Sequence, residues 1–552
     1  MQLVSPKQMR AIENRSEELG VSKAELMRNA GAALAELIAE RCSKDKNPHE
    51  QKIVFLAGSG NNGGDCFVAA RILAADGYDV TMVILCSMPR TDLSRSTYLE
   101  LEDTEVKILK AYRGMNMKSS IEAAEIDFMV NTQESDTLEK LHSEEKERVE
   151  KVIAELDEAD IIVDGVFGTG FHGTLDDEIA GFLCAGGDAY RIADDVPSGG
   201  NSATGEISSG TFCADETIAF GALKIGMTQY PLKEYCGVIS VADIGIPDGA
   251  YDIREGERSY TLLDSREMNG FPKVRRPDTH KNNFGRLLCI CGSAGMSGAA
   301  AFSVIGALRS GAGLVVLASG RSCIGTVSAL APEAMYTELE SDDYGCTLYD
   351  INLSLIKAEL EKADAVLIGC GLGVTPDTAE LTRFVIENAD SPIIIDADGI
   401  NCIASDIDIL LKKKTDIILT PHPGEMSRLA GCGSGEVNLD RFSAAADFAE
   451  KYGVTVVLKG AGTVVADSQQ TSVCPLGNPG MSKGGSGDVL AGITASIAAQ
   501  GYSAYDSARY AVYIHSLAGD IAAEKLGQEF MLPRDIIDAL SDSYRILKQN
   551  RI

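Results

Sequence analysis

The chain has 552 residues, more than a single hydrophobic core usually organises, so two domains are expected. Apolar residues make up 45% and charged residues 24% of the chain, which is typical of a globular protein and not of a disordered one. The 81 acidic residues outnumber the 50 basic ones and give a formal charge of −31, which disfavours nucleic acid and anionic membranes as partners.

The sequence shows no sign of export or membrane insertion. Its first residues lack the basic stretch and apolar core of a secretory signal. No run approaches the roughly 18 consecutive apolar residues that span a bilayer. The 14 cysteines are scattered without a CxxC pair, which favours reduced core thiols over zinc or redox sites. We therefore expect a cytoplasmic protein.

Short β-branched runs alternate with longer helical stretches in both halves, the pattern of parallel sheets covered by helices on both faces. Strands are predicted at 52–57, 79–85, 160–167, 190–196 and 216–223, and then at 286–292, 313–319, 364–369, 392–398, 416–421 and 454–460. A polar, turn-rich stretch at 247–260 separates the halves. The sequence therefore predicts an α/β protein with two domains, residues 1–249 and 257–552, the first a doubly wound sheet.

The segment 89–157 departs from this pattern. It is charged and weakly periodic, and residues 139–160 are typical of an exposed helix with a solvated charged face. No function of this acidic insertion follows from the sequence.

Residues 58–65, GSGNNGGD, follow a predicted strand and open a helix. They satisfy the dinucleotide pattern G-x-G-x-x-G through Gly58, Gly60 and Gly63. Ordinary NAD binding for hydride transfer also needs an acidic residue after the next strand, where this chain has CSM at 86–88. Hydride transfer is therefore disfavoured. The turn still presents a helix N-terminus whose free amides and dipole attract phosphate.

Three further loops are expected at the same sheet edge, at 164–173, 194–199 and 221–226. Asn62, Asp164 and Ser198 offer only oxygen ligands, which suit a hard cation such as potassium better than zinc or copper. Asp195 and Lys224 form a candidate acid/base pair, because opposite charges in a cleft tune each other's pKa. For each residue taken alone, a hydrogen bond that closes its loop is the alternative role.

These N-terminal motifs together resemble the NAD(P)H-hydrate epimerase family. The resemblance rests on LMRNAG (26–31), GSGNNGGDCFVAAR (58–71), VDGVFGTG (163–170) and DVPSG (195–199). It covers about residues 1–245 and implies a Rossmann-like domain.

The resemblance implies roles for individual residues. Two loops hold the hydrated cofactor, through Asn61, Asn62, Gly63, Gly64, Asp65, Gly168, Thr169, Gly170, Phe171, His172, Gly173 and Thr174. Potassium is bound by Asn62, Asp164 and Ser198, and Asp195 contacts the nicotinamide end as the catalytic residue. Cys66 departs from the family, which usually has glycine there, and we expect it to narrow the phosphate turn.

The richest motif of the second half is NPGMSKGGSGDVLAGI at 478–493. Backbone amides around Gly484, Gly485 and Gly487 are suited to stabilise charge on a phosphoryl group, and Asp488 is suited to take a proton from an attacking hydroxyl. A structural helix start capped by an aspartate is the alternative. The pattern G-x-x-x-x-G-K-[ST] is missing from the sequence, so this is not a P-loop enzyme.

Other polar loops flank the predicted strands at 280–286, 369–373, 396–401, 419–429 and 458–463. With the previous motif they resemble the NAD(P)H-hydrate dehydratase family, a ribokinase-like α/β fold, over about residues 257–549. The resemblance implies that Gly371, His422 and Asp488 contact the hydrate, although a lone histidine is more often a core residue. It assigns the nucleotide to Lys459, Gly460, Ala461, Gly462, Thr463 and Gly487. Lys483 stands where many relatives have threonine, and we expect it to change the charge of the phosphate loop but not its path.

The two resemblances imply a bifunctional enzyme of metabolite repair. An isomerase interconverts the R and S hydrates of NADH and NADPH, and a lyase dehydrates the S form with ADP, releasing AMP and phosphate. The hydrate's hydroxyl attacks the terminal phosphoryl group, and phosphate then leaves the ring. The resemblance further implies potassium in the epimerase site, Mg²⁺ with ADP in the dehydratase site, and a homo-oligomer.

Two alternatives stay open. A GGSGD turn with an activating aspartate serves a vitamin-type, ribokinase-like kinase equally well, and the phosphorylated product would then persist. In the second alternative the first half is a non-catalytic Rossmann-like binding module, although the presence of Asn62, Asp164, Asp195 and Ser198 argues against it. The sequence does not distinguish ADP from ATP, or the NADH hydrate from the NADPH hydrate.

Overall fold

The computed structural model describes residues 1–43, 46–111, 135–254 and 256–549, with the backbone alone for 135–145. The chain divides into two compact units, Leu3–Asp252 and Ile253–Ile552, the latter together with Met1–Gln2. None of the described helices combines the length and the apolar character that crossing a bilayer requires.

The elements that precede Asp252 alternate between strands and helices. The strands are β1 (Gln2–Val4), β2 (Lys52–Ala57), β3 (Asp79–Ile84), β4 (Lys107–Lys110), β5 (Ile161–Gly165), β6 (Tyr190–Asp194), β7 (Glu216–Phe220), β8 (Leu223–Lys224) and β9 (Val238–Ala242). The helices span Pro6–Glu18, Lys23–Arg41, Asn61–Ala75, Asp92–Glu102, Ser135–Asp157, Asp177–Leu183 and Leu232–Tyr235.

The sheet of this unit is parallel, in the order β4-β3-β2-β5-β6-β7-β9. Residues 53–57 of the interior strand β2 are apolar and buried, as expected of a strand that is covered on both faces. Ile53 and Phe55 belong to one buried cluster, and Val54 and Leu56 belong to another. The chain winds outward from β2 in one direction and from β5 in the other, so the switch point lies between these strands.

The second unit follows the same principle with more elements. Its strands are β10 (Ser259–Leu262), β11 (Arg286–Ile290), β12 (Leu314–Gly320), β13 (Met335–Leu339), β14 (Ala365–Ile368), β15 (Ile393–Ile395), β16 (Ile417–Leu419), β17 (Thr455–Leu458), β18 (Thr463–Ala466) and β19 (Gln470–Cys474). Its helices span Ser297–Arg309, Arg321–Leu330, Leu353–Leu360, Pro376–Asn388, Asp398–Ile403, Pro423–Ala430, Ser434–Leu439, Arg441–Tyr452, Ser486–Ala499, Ala504–Leu526 and Pro533–Gln549.

The strands of this unit are ordered β13-β12-β11-β14-β15-β16-β17-β18-β19-β10. Pairing is parallel from β13 to β17, antiparallel through β18 and β19, and parallel again to β10. The switch point lies between β11 and β14. Consecutive strands from β14 to β17 therefore present their carboxyl ends side by side. The α/β class with two sheet domains, predicted from the sequence, is confirmed.

The acidic segment contributes buried side chains and a paired strand, which its charged composition does not indicate. Tyr98 and Leu101 of the helix Asp92–Glu102 are buried, and β4 pairs with β3. In the helix Ser135–Asp157, Val152 and Leu156 are buried in an apolar cluster with the sheet. The prediction of an exposed helix is therefore wrong for this face. Residues 112–134 of the segment lie outside the described residues.

Several strands differ from the sequence prediction at their ends. The predicted strand 392–398 stops at Ile395, because Asp396 leaves the ladder and Ala397 takes a φ of 48°. The edge strands β4, β9 and β13 and the hairpin β18–β19 are absent from the prediction. Edge strands are only partly buried, so they lack the continuous apolar run that identifies a central strand.

Candidate active sites

The first candidate site lies at the carboxyl edge of the N-terminal sheet, at its switch point. The helix Asn61–Ala75 begins just after β2, with Gly60 as its N-cap. A Cβ at Gly58 would stand 1.9 Å from the Val166 carbonyl oxygen, and a Cβ at Gly63 would stand 2.3 Å from the Gly58 carbonyl oxygen. Glycines therefore allow this turn to pack backbone to backbone against the loop after β5.

The three predicted oxygen ligands lie around Phe167 and Gly168. Asp164 accepts hydrogen bonds from Ser198 Oγ at 2.6 Å and from the Ser198 backbone amide at 2.7 Å. Ser198 Oγ accepts from the Phe167 amide at 2.8 Å. A Cβ at Gly168 would lie 2.1 Å from Asn62 Oδ1. Side chains carried by β2, β5 and β6 thus converge because those strands are neighbours.

Asp164 is fully buried beneath this cluster. Burial raises its pKa to about 6, although its hydrogen bonds with Ser198 and Val166 lower it. A cation at this point would favour the ionised carboxylate.

Asp195 and Lys224 form the predicted pair, and both are buried. Lys224 Nζ donates to Asp195 Oδ1 and to the Phe220 carbonyl oxygen, the second at 3.1 Å. The Phe220 amide donates to the same Asp195 oxygen at 3.2 Å. The end of β7 and Lys224 of β8 therefore hold this carboxylate in place.

More carboxylates crowd this site than the motifs reveal. Burial, reinforced by neighbouring carboxylates, raises the pKa of Asp65 and of Asp194 well above the ordinary value. Asp194 Oδ1 has no hydrogen-bond partner among the described residues. Cys66 is fully buried, with Sγ 3.8 Å from Asp194 Oδ2. Its side chain therefore lies beneath the phosphate turn and does not enter it, contrary to expectation.

The second predicted substrate loop, 168–174, is anchored at its base and open at its tip. Ser202 Oγ donates to the Thr169 carbonyl at 3.0 Å, and the rings of Phe167 and Phe171 lie 5.3 Å apart. Gly170, His172, Gly173 and Thr174 are exposed, as is Asn61 across the turn. The open tip offers a surface to a ligand.

The second candidate site lies along the carboxyl ends of β14 to β17. Lys459, after β17, donates to Asp396 Oδ1 at 2.8 Å and lies 3.8 Å from Glu425 Oε2. Burial lowers the pKa of Lys459, but the carboxylates of Asp396 and Glu425 outweigh it and raise that pKa above its ordinary value. Thr420 Oγ1 donates to Asp396 Oδ1 at 2.7 Å. A lysine held ionised in this way is suited to contact phosphate.

Asp488 stands in the first turn of the helix Ser486–Ala499, which the left-handed Gly485 introduces at φ 105°. Burial and the nearby Asp396 carboxylate raise the Asp488 pKa to about 6. A Cβ at Gly487 would lie 3.4 Å from Lys459 Nζ. The structure therefore brings together the predicted base Asp488, the glycine turn and Lys459.

His422 and Gly371 lie on loops at the same edge. His422 is the N-cap of the helix Pro423–Ala430, and its Nδ1 accepts from the Gly424 amide at 3.0 Å and the Glu425 amide at 3.2 Å. The side chain is 52% exposed, so it is not a core histidine. Gly371 has φ 64°, and its carbonyl accepts from Ser293 Oγ at 3.0 Å.

The predicted nucleotide loop, 459–463, is shaped by glycines. Gly460 has φ 149°, and a Cβ there would lie 2.5 Å from the Arg441 guanidinium. Thr463 Oγ1 donates to the Gly460 carbonyl at 2.9 Å, and Ala461 is exposed. The loop is thus tight at both ends and open at Ala461.

Lys483 does not point along the phosphate turn. Its Nζ donates to the carbonyl oxygens of Glu529 at 2.7 Å and Met531 at 2.6 Å. The ammonium is therefore committed to a neighbouring loop, and the expectation that it changes the charge of the phosphate loop is not supported by these contacts.

Two residues of this site were missed as individual candidates. Asp396 lies in the motif DADGIN, which the sequence singles out only as a loop, and Cys370 lies in GCGLG. Ligand atoms of Cys370, Asp396 and Asp488 all lie within 4.8 Å of one another. The order of parallel strands was the available signal, since each residue follows the carboxyl end of a strand or opens a helix there.

Comparison with known proteins identifies both units. The family model described as YjeF-related protein N-terminus matches residues 23–226. The family model described as NAD(P)H-hydrate dehydratase matches residues 287–542. A solved structure of the ADP/ATP-dependent NAD(P)H-hydrate dehydratase from Bacillus subtilis, co-crystallised with ATP/Mg²⁺, is 26% identical with a TM-score of 0.45; it covers 52% of this chain and 98% of that chain.

Full-length relatives share both units in the same order. The bifunctional NAD(P)H-hydrate repair enzyme Nnr of Thermofilum pendens is 33% identical over 97% of this chain and 94% of its own length. The enzyme of the same name from Coxiella burnetii is 34% identical over 98% of each chain. This chain therefore belongs to the family of bifunctional NAD(P)H-hydrate repair enzymes.

Proposed function

We propose that residues 1–249 are the epimerase and residues 257–552 the ADP-dependent dehydratase of one repair enzyme. Together they return both epimers of hydrated NADH and NADPH to the parent cofactors. The observation that carries this proposal is the Asp488 carboxylate at a glycine-rich helix start beside the partly buried Lys459. The vitamin-type kinase is not favoured, because the full-length relatives are repair enzymes.

In the epimerase, the phosphate-attracting turn at 61–65 and the open loop 168–174 hold the hydrated cofactor. Asp195 faces the nicotinamide end and exchanges a proton there as catalytic residue. Its contacts with Lys224 and the Phe220 amide support this role, because they fix the carboxylate in one orientation.

Potassium fits the cluster of Asn62, Asp164 and Ser198. All three offer oxygen atoms, as hard cations prefer. Asp65, Asp164 and Asp194 are also buried there, and a cation would favour the ionised form of these carboxyl groups. Bound potassium supplies positive charge that favours the ionised Asp164 and fixes the loop beginning at Gly168.

In the dehydratase, the hydrate lies against Gly371, His422 and Asp488. The nucleotide lies against Lys459–Thr463 and Gly487. Asp488 takes the proton of the hydrate's hydroxyl as its oxygen attacks the terminal phosphoryl group, and AMP leaves. The ring nitrogen's electrons then expel phosphate, and loss of a ring proton restores the dihydronicotinamide.

ADP enters as its Mg²⁺ complex in this proposal. The ionised Lys459 and the amides of the Gly485–Gly487 turn stabilise the charge on the transferring group. Asp488, with its pKa near 6, is mostly ionised at neutral pH and is therefore ready to accept the proton. The family resemblance also supports a cytoplasmic homo-oligomer.

The test is recovery of absorbance at 340 nm from mixed R and S NADH hydrate, with potassium and magnesium present. Three parallel reactions contain ADP, ATP or no nucleotide. Complete recovery that needs a nucleotide and outpaces spontaneous epimerisation supports both activities and identifies the donor. Prompt recovery of the S fraction alone indicates that the first unit only binds. A persistent phosphorylated product, or no recovery, contradicts the dehydratase.

Two variants separate the sites. Asp488→Asn removes the proposed base while keeping its size, so the dehydration rate is expected to fall by about 100-fold or more. Asp535→Asn is the matched control, because Asp535 also lies in the first turn of a helix, Pro533–Gln549, and has no role in the proposed reaction. Equal losses in the two variants would contradict the role of Asp488.

A further inference from the structure

A thiol lies between the two carboxylates of the dehydratase centre. Cys370 follows β14 and Asp396 follows the neighbouring strand β15, so their side chains meet at the sheet edge. Cys370 Sγ donates to Asp396 Oδ2 at 3.4 Å, and both residues are buried. An oxygen of Asp488 lies within 4.8 Å of both atoms. The three groups therefore form one compact cluster.

The other carboxylate oxygen of Asp396, Oδ1, already accepts two hydrogen bonds. Oδ1 accepts from Thr420 Oγ1 at 2.7 Å and from Lys459 Nζ at 2.8 Å. These two donors leave Oδ2 to Cys370. Because the thiol hydrogen rotates about the Cβ–Sγ bond, it can turn toward a competing acceptor of equal charge.

The thiol keeps its proton in this surrounding. Its hydrogen bond with Cys291, its burial and the carboxylates of Asp396 and Asp488 all hold the Cys370 pKa well above the ordinary value. A neutral thiol has one proton to donate, and charged oxygens are better acceptors than sulfur. Cys370 can therefore satisfy one carboxylate at a time.

Charged and titratable side chains lie close to Asp488. The charged and titratable neighbours that affect it are Asp396, Asp398, Lys459 and Cys370. The two other aspartates disfavour its ionised form, while Lys459 and the thiol favour it. Lys459 is bonded to Asp396, and the thiol is a neutral donor close to Asp488.

We infer that Cys370 is a positioning residue of the dehydratase. Its S–H donates to the ionised Asp488 and aims that carboxylate at the hydrate's hydroxyl. When Asp488 takes up the proton, the S–H turns back to Asp396. This inference rests on the proposed role of Asp488 as base and goes beyond it, because it adds a residue that sets the pH range in which the base works.

The measurable consequence lies in the pH profile. A hydrogen bond to the ionised form lowers the pKa of a carboxyl group, so its loss in Cys370→Ala raises the pKa of Asp488 by about 0.5 to 1 unit. The acid limb of the kcat profile moves upward by the same amount. The rate then falls about threefold near pH 6 and much less at pH 8, since Asp488 is ionised there in both proteins. A defect of packing would lower the rate equally at both pH values.

The experiment uses the full chain with purified S hydrate and Mg·ADP, and measures kcat and KM from pH 5 to 8.5. Cys370→Ala is compared with Cys370→Ser, which restores a donor, and with Cys474→Ala, which removes another buried thiol of the same unit. We expect the alanine variant alone to shift the acid limb, with KM for ADP within about twofold of the native value. Circular dichroism checks that each variant is folded.

Two results would overturn the inference: an unmoved acid limb in folded Cys370→Ala, or a serine variant that behaves like the alanine variant. If instead Asp488→Asn keeps its dehydration rate and acid limb, the proposed base is wrong. That outcome is read from a different variant, so the two failures are distinguishable.

Discussion

Lys224, at the end of β8, donates to the carboxylate of Asp195, whose backbone has a φ of 65°. This left-handed conformation is uncommon outside glycine, and aspartate and asparagine tolerate it best among other residues. The Asp195 amide is also bonded to the Ile218 carbonyl at 2.9 Å. The sheet edge thus holds a carboxylate in a costly conformation, as is frequent at functional sites.

Asp195→Asn is therefore the informative substitution at this position. Asparagine tolerates the left-handed backbone but cannot accept a proton, so epimerisation is expected to fall by at least about 100-fold, to the spontaneous rate. Dehydration of purified S hydrate serves as the internal measure of folding. The measurement is the recovery rate of R hydrate at 340 nm with excess dehydratase activity. Epimerisation that stays above the spontaneous rate would show that Asp195 is not the catalytic residue.

Gly168→Ala tests the potassium cluster without removing a ligand. The added Cβ would lie 2.1 Å from Asn62 Oδ1, so the amide must move out of the cluster. We expect the potassium concentration for half-maximal epimerisation to rise by about tenfold. Gly170→Ala is the matched control, because its Cβ would meet no atom within 4 Å. If removing potassium leaves the epimerisation rate of the native enzyme unchanged, the cation has no role there.

The buried His515 is expected to make the free energy of unfolding of the second unit fall at low pH. The side chain is 6% exposed, and burial lowers its pKa to about 4. The unfolded chain takes up the proton below its ordinary pKa of 6.5, while the folded chain does so only near 4. Stability is therefore lost as pH falls from 6.5 to 4, by about 3 kcal/mol at 1.36 kcal/mol per unit.

The measurement is urea unfolding of the native chain and of His515→Leu at pH 7, 5.5 and 4.5. The difference between the two proteins is expected to shrink or reverse as pH falls, because leucine takes up no proton. His280→Gln, at an exposed histidine, should follow the native curve. Parallel curves for His515→Leu and the native chain would contradict the assignment.

The central strands of both sheets could be predicted because they are buried on both faces, as β2 shows through Ile53 to Leu56. The motif loops could be placed at one edge because parallel strands end together. Asp396 and Cys370 could not be singled out, since their proximity depends on the neighbouring order of β14 and β15. Pairing of strands that are distant in sequence is not written in any local pattern.

The burial of the acidic segment could not be predicted from its sequence either. Charge dominates the composition of its helix, and that pattern predicts exposure. Val152 and Leu156 lie one turn apart and are enough to seat one face in the core. Composition alone does not distinguish a narrow apolar stripe among many charges from a fully solvated surface. Asp194 is the last residue of β6, and nothing in the local sequence shows that its side chain is buried.

Substitutions at Lys483 and Lys459 test which of the two lysines contacts the phosphates of the nucleotide. Its ammonium donates to the Glu529 and Met531 carbonyls, so it links the glycine-rich turn to the loop 529–531. Lys483→Met is expected to lower the free energy of unfolding by about 1 to 2 kcal/mol, because two hydrogen bonds to a charged group are lost. KM for ADP should change by less than about threefold. Lys459→Met, at the lysine beside Gly487, is the comparison and should raise KM or lower kcat by about 100-fold.

Thermal unfolding and initial rates distinguish the two lysines. A large rise of KM for ADP in Lys483→Met with unchanged stability would show that Lys483, and not Lys459, contacts the phosphate.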